Sequence, residues 1–307
     1  MKTAKNKHRS ALVTGATGFI GTHLVSRLVE KGWRVNIITR NKSILPDSSV
    51  FEKIENNTYD GTIESIHKSL VHSKPDIIFH LASKFKAEHV TNDVQELIAS
   101  NILFGTQLLE AMRISQSNKK IINTGTSWQH FNNQEYDPLC LYAATKQSFE
   151  TILEFYCNAY NFEVITLKLC DTYGPADYRK KLVPLLVNGE RDNEILKLSG
   201  GEQFIDLVYI TDVIDAYMIA VELLMSDDKK MNEKYDLSSG APIKVRQLVE
   251  VYSKVINRTL SVEWGAIPYR KREMMIPWQP SKILERWVPK VGLETGLRNI
   301  KKFLKSI

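Results

Sequence analysis

Thr14-Gly-Ala-Thr-Gly-Phe-Ile-Gly21 places three glycines close to the start of the chain, between the apolar run Ala11-Leu-Val-Thr14 and an amphipathic pattern from Gly18 to Lys31. In a strand-to-helix turn, Gly15 permits the bend, Gly18 lets backbone approach a pyrophosphate, and Gly21 lets helix meet sheet. Such a loop is an anion seat at a helix N-terminus. Tight turns of other kinds need glycine too, so it is the place of this one, at the head of an alternating β/α chain, that makes it a dinucleotide site. Its candidate contacts are Gly15, Thr17, Gly18, Phe19, Ile20 and Gly21. The next strand ends Ile38-Thr39-Arg40. An acidic residue there would bind the ribose 2′-hydroxyl of NAD, whereas arginine suits the 2′-phosphate of NADP, so Arg40 argues for NADP(H). A solvated loop arginine is the other reading.

Tyr142-Ala-Ala-Thr-Lys146 sets a phenol and an ammonium four residues apart, on one face of a helix. A nearby cation favours the phenolate and makes Tyr142 an acid/base group for neutral pH. The spacing also arises by chance on amphipathic helices. Thr126 changes the balance, because it follows the apolar strand Lys120 to Thr124 and leaves a hydroxyl at the C-terminal edge of the sheet, where ligands bind in open α/β folds. His80 closes another apolar run and reads as a packed or cofactor-adjacent residue rather than a catalyst. Trp264, Trp278 and Trp287 are core aromatics or stacking partners for a base.

The elements that must position these groups read as an α/β fold, a Rossmann doubly wound parallel sheet with a smaller C-terminal substrate-binding lobe. Apolar runs at Ala11 to Thr14, Arg34 to Thr39, Asp76 to Ala82, Lys120 to Thr124 and Glu163 to Leu169 alternate with helical patterns. Helices are expected near Asp93 to Ser115, Leu141 to Tyr160 and Asp212 to Met225, with a short strand at Tyr235 to Leu237. After Cys170, turn signals at Gly174-Pro175, Gly200-Gly201, Ala241-Pro242 and Pro268 to Pro289 mark shorter excursions. The dinucleotide-binding domain is therefore drawn over 10–170 with 206–240 returning to it, and the lobe over 171–205 and 241–307. A last helix with Leu293, Leu297, Ile300 and Leu304 on one face is expected to pack down.

With 43% hydrophobic and 25% charged residues, the 307-residue chain has ordinary globular composition. Cys140, Cys157 and Cys170 form no CxxC pair and have no His at ligand spacing, so neither a disulfide framework nor a metal site is expected. The net charge of +6 attracts anions, yet Lys and Arg are dispersed, so no nucleic-acid partner is expected. Met1 to Ser10 is basic but leads into a glycine-punctuated segment rather than an apolar h-region, so no signal peptide is expected. No apolar stretch nears the roughly 18 to 20 residues of a membrane span, and a cytoplasmic enzyme without a membrane partner fits.

Taken together, TGATGFIG, His80-Leu-Ala82, Asn101-Ile-Leu-Phe-Gly-Thr106 with Leu108-Leu-Glu-Ala111, the Thr126/Tyr142/Lys146 set and Thr172-Tyr-Gly-Pro175 resemble an extended short-chain dehydrogenase/reductase, from about Ala11 to Phe303. The resemblance implies that Thr126 orients the sugar carbonyl or alcohol, Tyr142 passes the proton, and Lys146 holds the nicotinamide ribose and tunes the tyrosine. It further implies cofactor contacts at Asp60 near the adenine, at Leu81, Ala82 and Ser83, at Asn101 and at Tyr173. Within the family, Asp171 to Leu182 and Gly201 to Tyr209 are similar to sugar nucleotide 4-ketoreductases of the CDP-abequose and CDP-paratose synthase type. Substrate contacts are then expected at Thr126, Ser127, Arg179, Leu182 and Arg270, the last in a segment similar to the family's late Arg motif for a nucleotide diphosphate. Where many members carry Arg-Asp, this chain has Ile205-Asp206. Thr126-Ser-Trp128 lacks the acid pair of a 4,6-dehydratase. Arg40 favours an exchanging NADPH over the retained NAD of a 4-epimerase. The expectation is thus NADPH-dependent reduction of the 4-keto group of a nucleotide-linked, CDP-linked deoxyhexulose, for the deoxysugar of a surface polysaccharide such as the O-antigen of lipopolysaccharide. A 4-epimerase and a non-catalytic dinucleotide-binding scaffold or sensor are the alternatives. A homodimer through a four-helix interface is expected, with Phe149, Ile152, Leu153 and Tyr156 as its apolar surface.

Overall fold

Every residue of the run Ser10–Thr14 is buried, and it forms strand β1 of a computed structural model that describes residues 9–40, 45–46, 48–116, 118–226 and 232–306. All but the last two residues of the basic N-terminal stretch lie outside the described residues. Helix α1 (Phe19–Glu30) leads to β2 (Arg34–Thr39), β3 (Glu55–Thr58), α2 (Ile63–Ser73) and β4 (Ile77–His80). There follow α3 (Asp93–Ile98), α4 (Phe104–Ile114), β5 (Lys120–Thr126), α5 (Leu141–Tyr160) and β6 (Glu163–Leu169). The remaining elements are β7 (Asp171–Tyr173), α6 (Leu182–Asp192), β8 (Leu196–Leu198), β9 (Phe204–Ile205), β10 (Leu207–Tyr209), α7 (Ile210–Met225), β11 (Asn232–Leu237), β12 (Ile243–Lys244), α8 (Val245–Ile256), β13 (Val262–Trp264) and α9 (Leu293–Leu304).

Seven strands form one sheet in the order β11-β6-β5-β4-β1-β2-β3. β1 pairs in parallel with β2 on one side and β4 on the other. Succession therefore runs outward in opposite directions from β1 and β4, and the ends of these two strands flank the switch point where an open α/β sheet leaves a crevice. This is the doubly wound parallel architecture expected from the apolar runs. β3, at the edge, pairs only with β2 and consists of Glu55-Asn-Asn-Thr58, without an apolar residue.

Contacts divide the chain into two compact units, the first comprising Met1–Gly125, Thr145–Leu167 and Tyr217–Lys234. Its core gathers Leu12, Ile66, Leu70, Leu108, Met112, Phe149, Leu153 and Tyr156. Phe149 presses so closely on Gly105 of α4 that a methyl group at Gly105 would overlap its ring. The α5 face expected to serve a dimer is therefore largely spent inside the unit: Phe149, Leu153 and Tyr156 are buried and Ile152 packs against the same cluster. The reason is that α4 lies over this face, so the sheet is not its only partner. The helix expected over Asp93 to Ser115 is interrupted by a π turn at Ala99–Leu103 that contains Asn101.

The second unit comprises Thr126–Ala144, Lys168–Ala216 and Tyr235–Ile307. Three short pairings, β7 with β10, β9 with β12 and β8 with β13, replace a continuous sheet. In α9, Gly296, Leu297 and Ile300 are buried while Leu304 is exposed, and Gly296 seats the ring of Tyr173. No helix among the described residues is long and apolar enough to cross a membrane.

Candidate active site

Gly15 follows β1 with φ +70, and a Cβ there would lie 2.5 Å from the Ala82 amide nitrogen and 2.6 Å from the Leu81 carbonyl carbon. Only glycine permits both that conformation and that approach. The loop is drawn tight by the Gly18 amide donating to the Gly15 carbonyl (3.1 Å). Gly18 is the N-cap of α1; no side chain caps this end and the first turn carries no acidic residue. A Cβ on Gly21 would strike the Gly15 carbonyl and Ala16 backbone, so this glycine lets the helix close on its own loop rather than on the sheet. Exposed Gly18 and half-buried Thr17 and Ile20 border the helix end, whose dipole and amides favour an anion. These features fit the pyrophosphate of a dinucleotide.

Around that loop, the first unit fixes the segment after β4. Asn101 is buried, and its Oδ1 accepts from the Ser83 hydroxyl (3.0 Å) and the Lys84 amide (2.7 Å). Its Nδ2 donates to the Lys84 carbonyl (3.0 Å) and the Thr145 hydroxyl (2.9 Å). The amide is thus spent on holding Leu81 to Lys84 and the start of α5 rather than left for a ligand. His80 is fully buried, with Nδ1 2.9 Å from the Thr14 hydroxyl, and burial followed by the charge of Lys146 lowers its pKa to about 3. It is a neutral packing residue, as its place in the sequence suggests. Arg40 stands at the end of β2 with its side chain 75% exposed and, among the described residues, one ion pair, to Glu96 at 3.9 Å. A pair so long and wet is worth little and leaves the guanidinium available. Asp60 is exposed, and its carboxylate accepts from the Thr62 amide (3.0 Å) and hydroxyl (2.6 Å), in the turn that starts α2.

α5 is one helix, so Tyr142 and Lys146 lie one turn apart along it. Tyr142 is half-buried, whereas Lys146 is only 2% exposed. Desolvation lowers the Lys146 pKa to about 8, and the Glu150 carboxylate opposes that fall.

In the second unit, Thr126 and Ser127 are buried where β5 ends. The Thr126 hydroxyl accepts from the Trp128 amide (3.3 Å), and the Thr126 amide donates to Gln129 Oε1 (2.9 Å), a capping box that fixes the threonine rotamer. Two cations lie over the Trp128 ring, Arg270 at 5.2 Å and Lys181 at 5.9 Å. Each has a carboxylate at hand: Glu273 for Arg270 (2.6 Å) and Asp171 for Lys181 (2.5 Å). Arg179 is committed differently, to Asp177 (2.7 Å) and the Thr172 carbonyl (2.7 Å), and shapes the loop between β7 and α6. Leu182 opens α6, half-buried. The Tyr173 side chain is buried against Tyr209 and under α9, which leaves only backbone there to line a ligand. Ile205 lies on β9 without a charge to offer, and Asp206 beside it accepts from the Ser239 amide (2.9 Å) and the Ser238 hydroxyl.

The model of the NAD dependent epimerase/dehydratase family matches residues 11–236. The chain belongs to this family. Family relatives include a CDP-abequose synthase of Salmonella typhimurium, 26% identical over 300 residues that make up 95% of this chain and 97% of the relative. Another, from Yersinia pseudotuberculosis, is 30% identical over 269 residues, 87% of this chain and 90% of its own. The fold is that of the UDP-glucose 4-epimerase of Thermotoga maritima, with a TM-score of 0.83 at 24% identity, covering 97% of this chain and 99% of that one.

Several residues that matter to this geometry were not among the sequence candidates. Gln129 had a signal, since Thr126-Ser-Trp-Gln129 has the spacing of a capping box. Trp128, Lys181 and Glu273 had none, because their meeting depends on segments far apart in sequence. Glu150 repeats the four-residue spacing of Tyr142 and Lys146.

Proposed function

We propose that the protein is an NADPH-dependent 4-ketoreductase of a nucleotide-linked deoxyhexulose, with CDP as the nucleotide, working in the cytoplasm to supply a deoxysugar for a surface polysaccharide. The observation that carries this reading is the buried, desolvated Lys146 one turn from Tyr142 on the same helix. Likeness to CDP-abequose synthases over nearly the whole chain supports the substrate class. Residues 10–170 and 206–240 hold the cofactor, with Gly15, Thr17, Gly18, Phe19, Ile20 and Gly21 at the pyrophosphate, Arg40 at the 2′-phosphate, Asp60 by the adenine and Leu81 to Ser83 along the nicotinamide side. Residues 171–205 and 241–307 take the sugar nucleotide, with Arg270 at the diphosphate.

Bound there, the reduced nicotinamide supplies a hydride. Tyr142 holds the proton that the alcohol oxygen needs. Lys146 favours the phenolate left behind by its positive charge. Thr126 accepts the Trp128 amide on one lone pair, so its own O–H is free to turn toward the sugar oxygen as a second donor. The carboxylates of Glu273 and Asp171 keep Arg270 and Lys181 in place until a diphosphate exchanges with them. The protein dimerises through α3, the π turn that follows it and α5, on the exposed side chains Val94, Ile98, Leu103 and Phe155 rather than on the buried face. Light scattering at micromolar concentration should give twice the chain mass, and a monomer mass refutes this arrangement.

A panel of CDP-, dTDP-, UDP- and GDP-linked 4-keto sugars with NADPH tests the reaction. Loss of NADPH absorbance with a single new C4 alcohol by NMR is expected, fastest with CDP. Interconversion of C4 epimers without net NADPH consumption overturns the reading.

A further inference from the structure

A carboxylate is seldom buried in a protein without a partner that repays its desolvation. Glu150 on α5 is such a group: its side chain is 1% exposed, and its Oε2 lies 3.3 Å from Lys234 Nζ, whose side chain is 35% exposed on β11. A surface pair with Lys234 would have needed no burial of the acid. What the buried position adds is proximity to Lys146, which occupies the preceding turn of the same helix and is itself shut off from water.

We propose that Glu150 is a positioning residue whose carboxylate, shared between Lys146 and Lys234, keeps the Lys146 ammonium charged and aimed along α5. The inference rests on the reading of Lys146 as the lysine that serves Tyr142 and the cofactor. Charged and titratable groups reach this region from three elements. From β4 comes His80, neutral because of its burial. From α5 comes Glu150, with Glu154 one turn beyond it and Cys157 about two turns beyond, its thiol kept protonated by burial and by Glu154. From β11 comes Lys234. Tyr142 lies one turn earlier on α5. Among the described residues, the negative charge directly opposing the desolvation of Lys146 is thus that of Glu150, and Lys234 partly cancels it. A residue that merely filled space would influence Lys146 in one direction, through packing. A charge relay of this kind requires opposite signs from its two ends.

The test is a pH titration of the Lys146 side chain by NMR in the full chain labelled at lysine, with its signal assigned by loss in Lys146→Met. Glu150→Gln should lower the titration midpoint by about one pH unit, the scale of a close charge. Lys234→Met should raise it, by less, since Lys234 is partly in solvent and screened. Glu150→Asp, which keeps the charge, should restore most of the wild-type midpoint. Shifts of the same sign in Glu150→Gln and Lys234→Met, or no shift in either, overturn the proposal. If Glu150→Gln does not fold, the upward shift in Lys234→Met decides alone, and its absence overturns the proposal. The alkaline limb of kcat/KM for keto-sugar reduction should follow the midpoints. Midpoints that move as expected while this limb stays fixed leave the charge relay standing and refute the catalytic reading of Lys146 instead.

Discussion

Asn101 offers the sharpest test of how the cofactor half is held together. Replacing it by alanine removes four hydrogen bonds, to Ser83, to both backbone groups of Lys84 and to Thr145. Each is worth about 1 kcal/mol net, and a buried polar group left without a partner costs about 1 to 3 kcal/mol. Lys84 is only half-buried, so water can serve part of what is stranded there. The expected loss is about 3 kcal/mol, which for a chain of this size corresponds to a fall in Tm of about 5 °C. Urea denaturation followed by tryptophan fluorescence gives the stability, and calorimetric titration with NADPH shows whether affinity falls as Leu81 to Ser83 loosen. Asn101→Asp keeps the acceptor oxygen but offers no N–H to the Lys84 carbonyl, and it adds a buried charge. It should be at least as costly as alanine at pH 7 and milder in acid. A loss below about 1 kcal/mol for Asn101→Ala would show that the segment is held by something other than this amide.

Tyr142→Phe should lower turnover by about a hundred- to ten-thousandfold while NADPH affinity by titration stays near wild type, because a positioned acid is lost and no cofactor contact with it. Near-wild-type turnover would end the case for Tyr142 as the acid. Arg40→Ala should narrow the preference for NADPH over NADH, measured as a ratio of dissociation constants; equal binding of both by the wild type contradicts the reading of β2. His80 makes stability pH-dependent with a definite sign. Its folded pKa of about 3 lies below the ordinary 6.5, so the unfolded chain binds a proton in that window that the native state refuses. Stability should therefore fall as pH drops from 6.5 towards 3, and His80→Asn should flatten urea midpoints across that range.

The sheet was legible because strands buried on both faces are written as continuous apolar runs, as at Ala11 to Val13 and Ile77 to Phe79. β3 was not, since an edge strand of Glu, Asn and Thr has neither an apolar run nor alternation, and its pairing with β2 is a property of the sheet. The π turn at Ala99–Leu103 escaped for a related reason: helical periodicity survives one wide turn, and what marks it is the Phe104 amide bonding to the Ala99 carbonyl five residues back. At the site, Tyr142 and Lys146 could be placed because a helix converts spacing into geometry. Arg179 and Tyr173 could not, because whether an arginine is spent on Asp177 and the Thr172 carbonyl, or a tyrosine is covered by α9, is settled by partners that spacing does not name.

The contact between Gly105 and Phe149 gives one helix a fixed angular phase. Because the Phe149 ring beds into the space where a side chain on α4 would stand, α5 is keyed against rotation about its own axis, much as a shaft is keyed to its hub. Every group on that shaft turns together. A twist of about 20° would sweep a side-chain tip roughly 6 Å from the axis through about 2 Å. A displacement of about 1 Å between reacting groups already costs about a hundredfold in rate. Gly105 carries no functional group, yet the angle at which α5 presents its phenol and its ammonium is decided there.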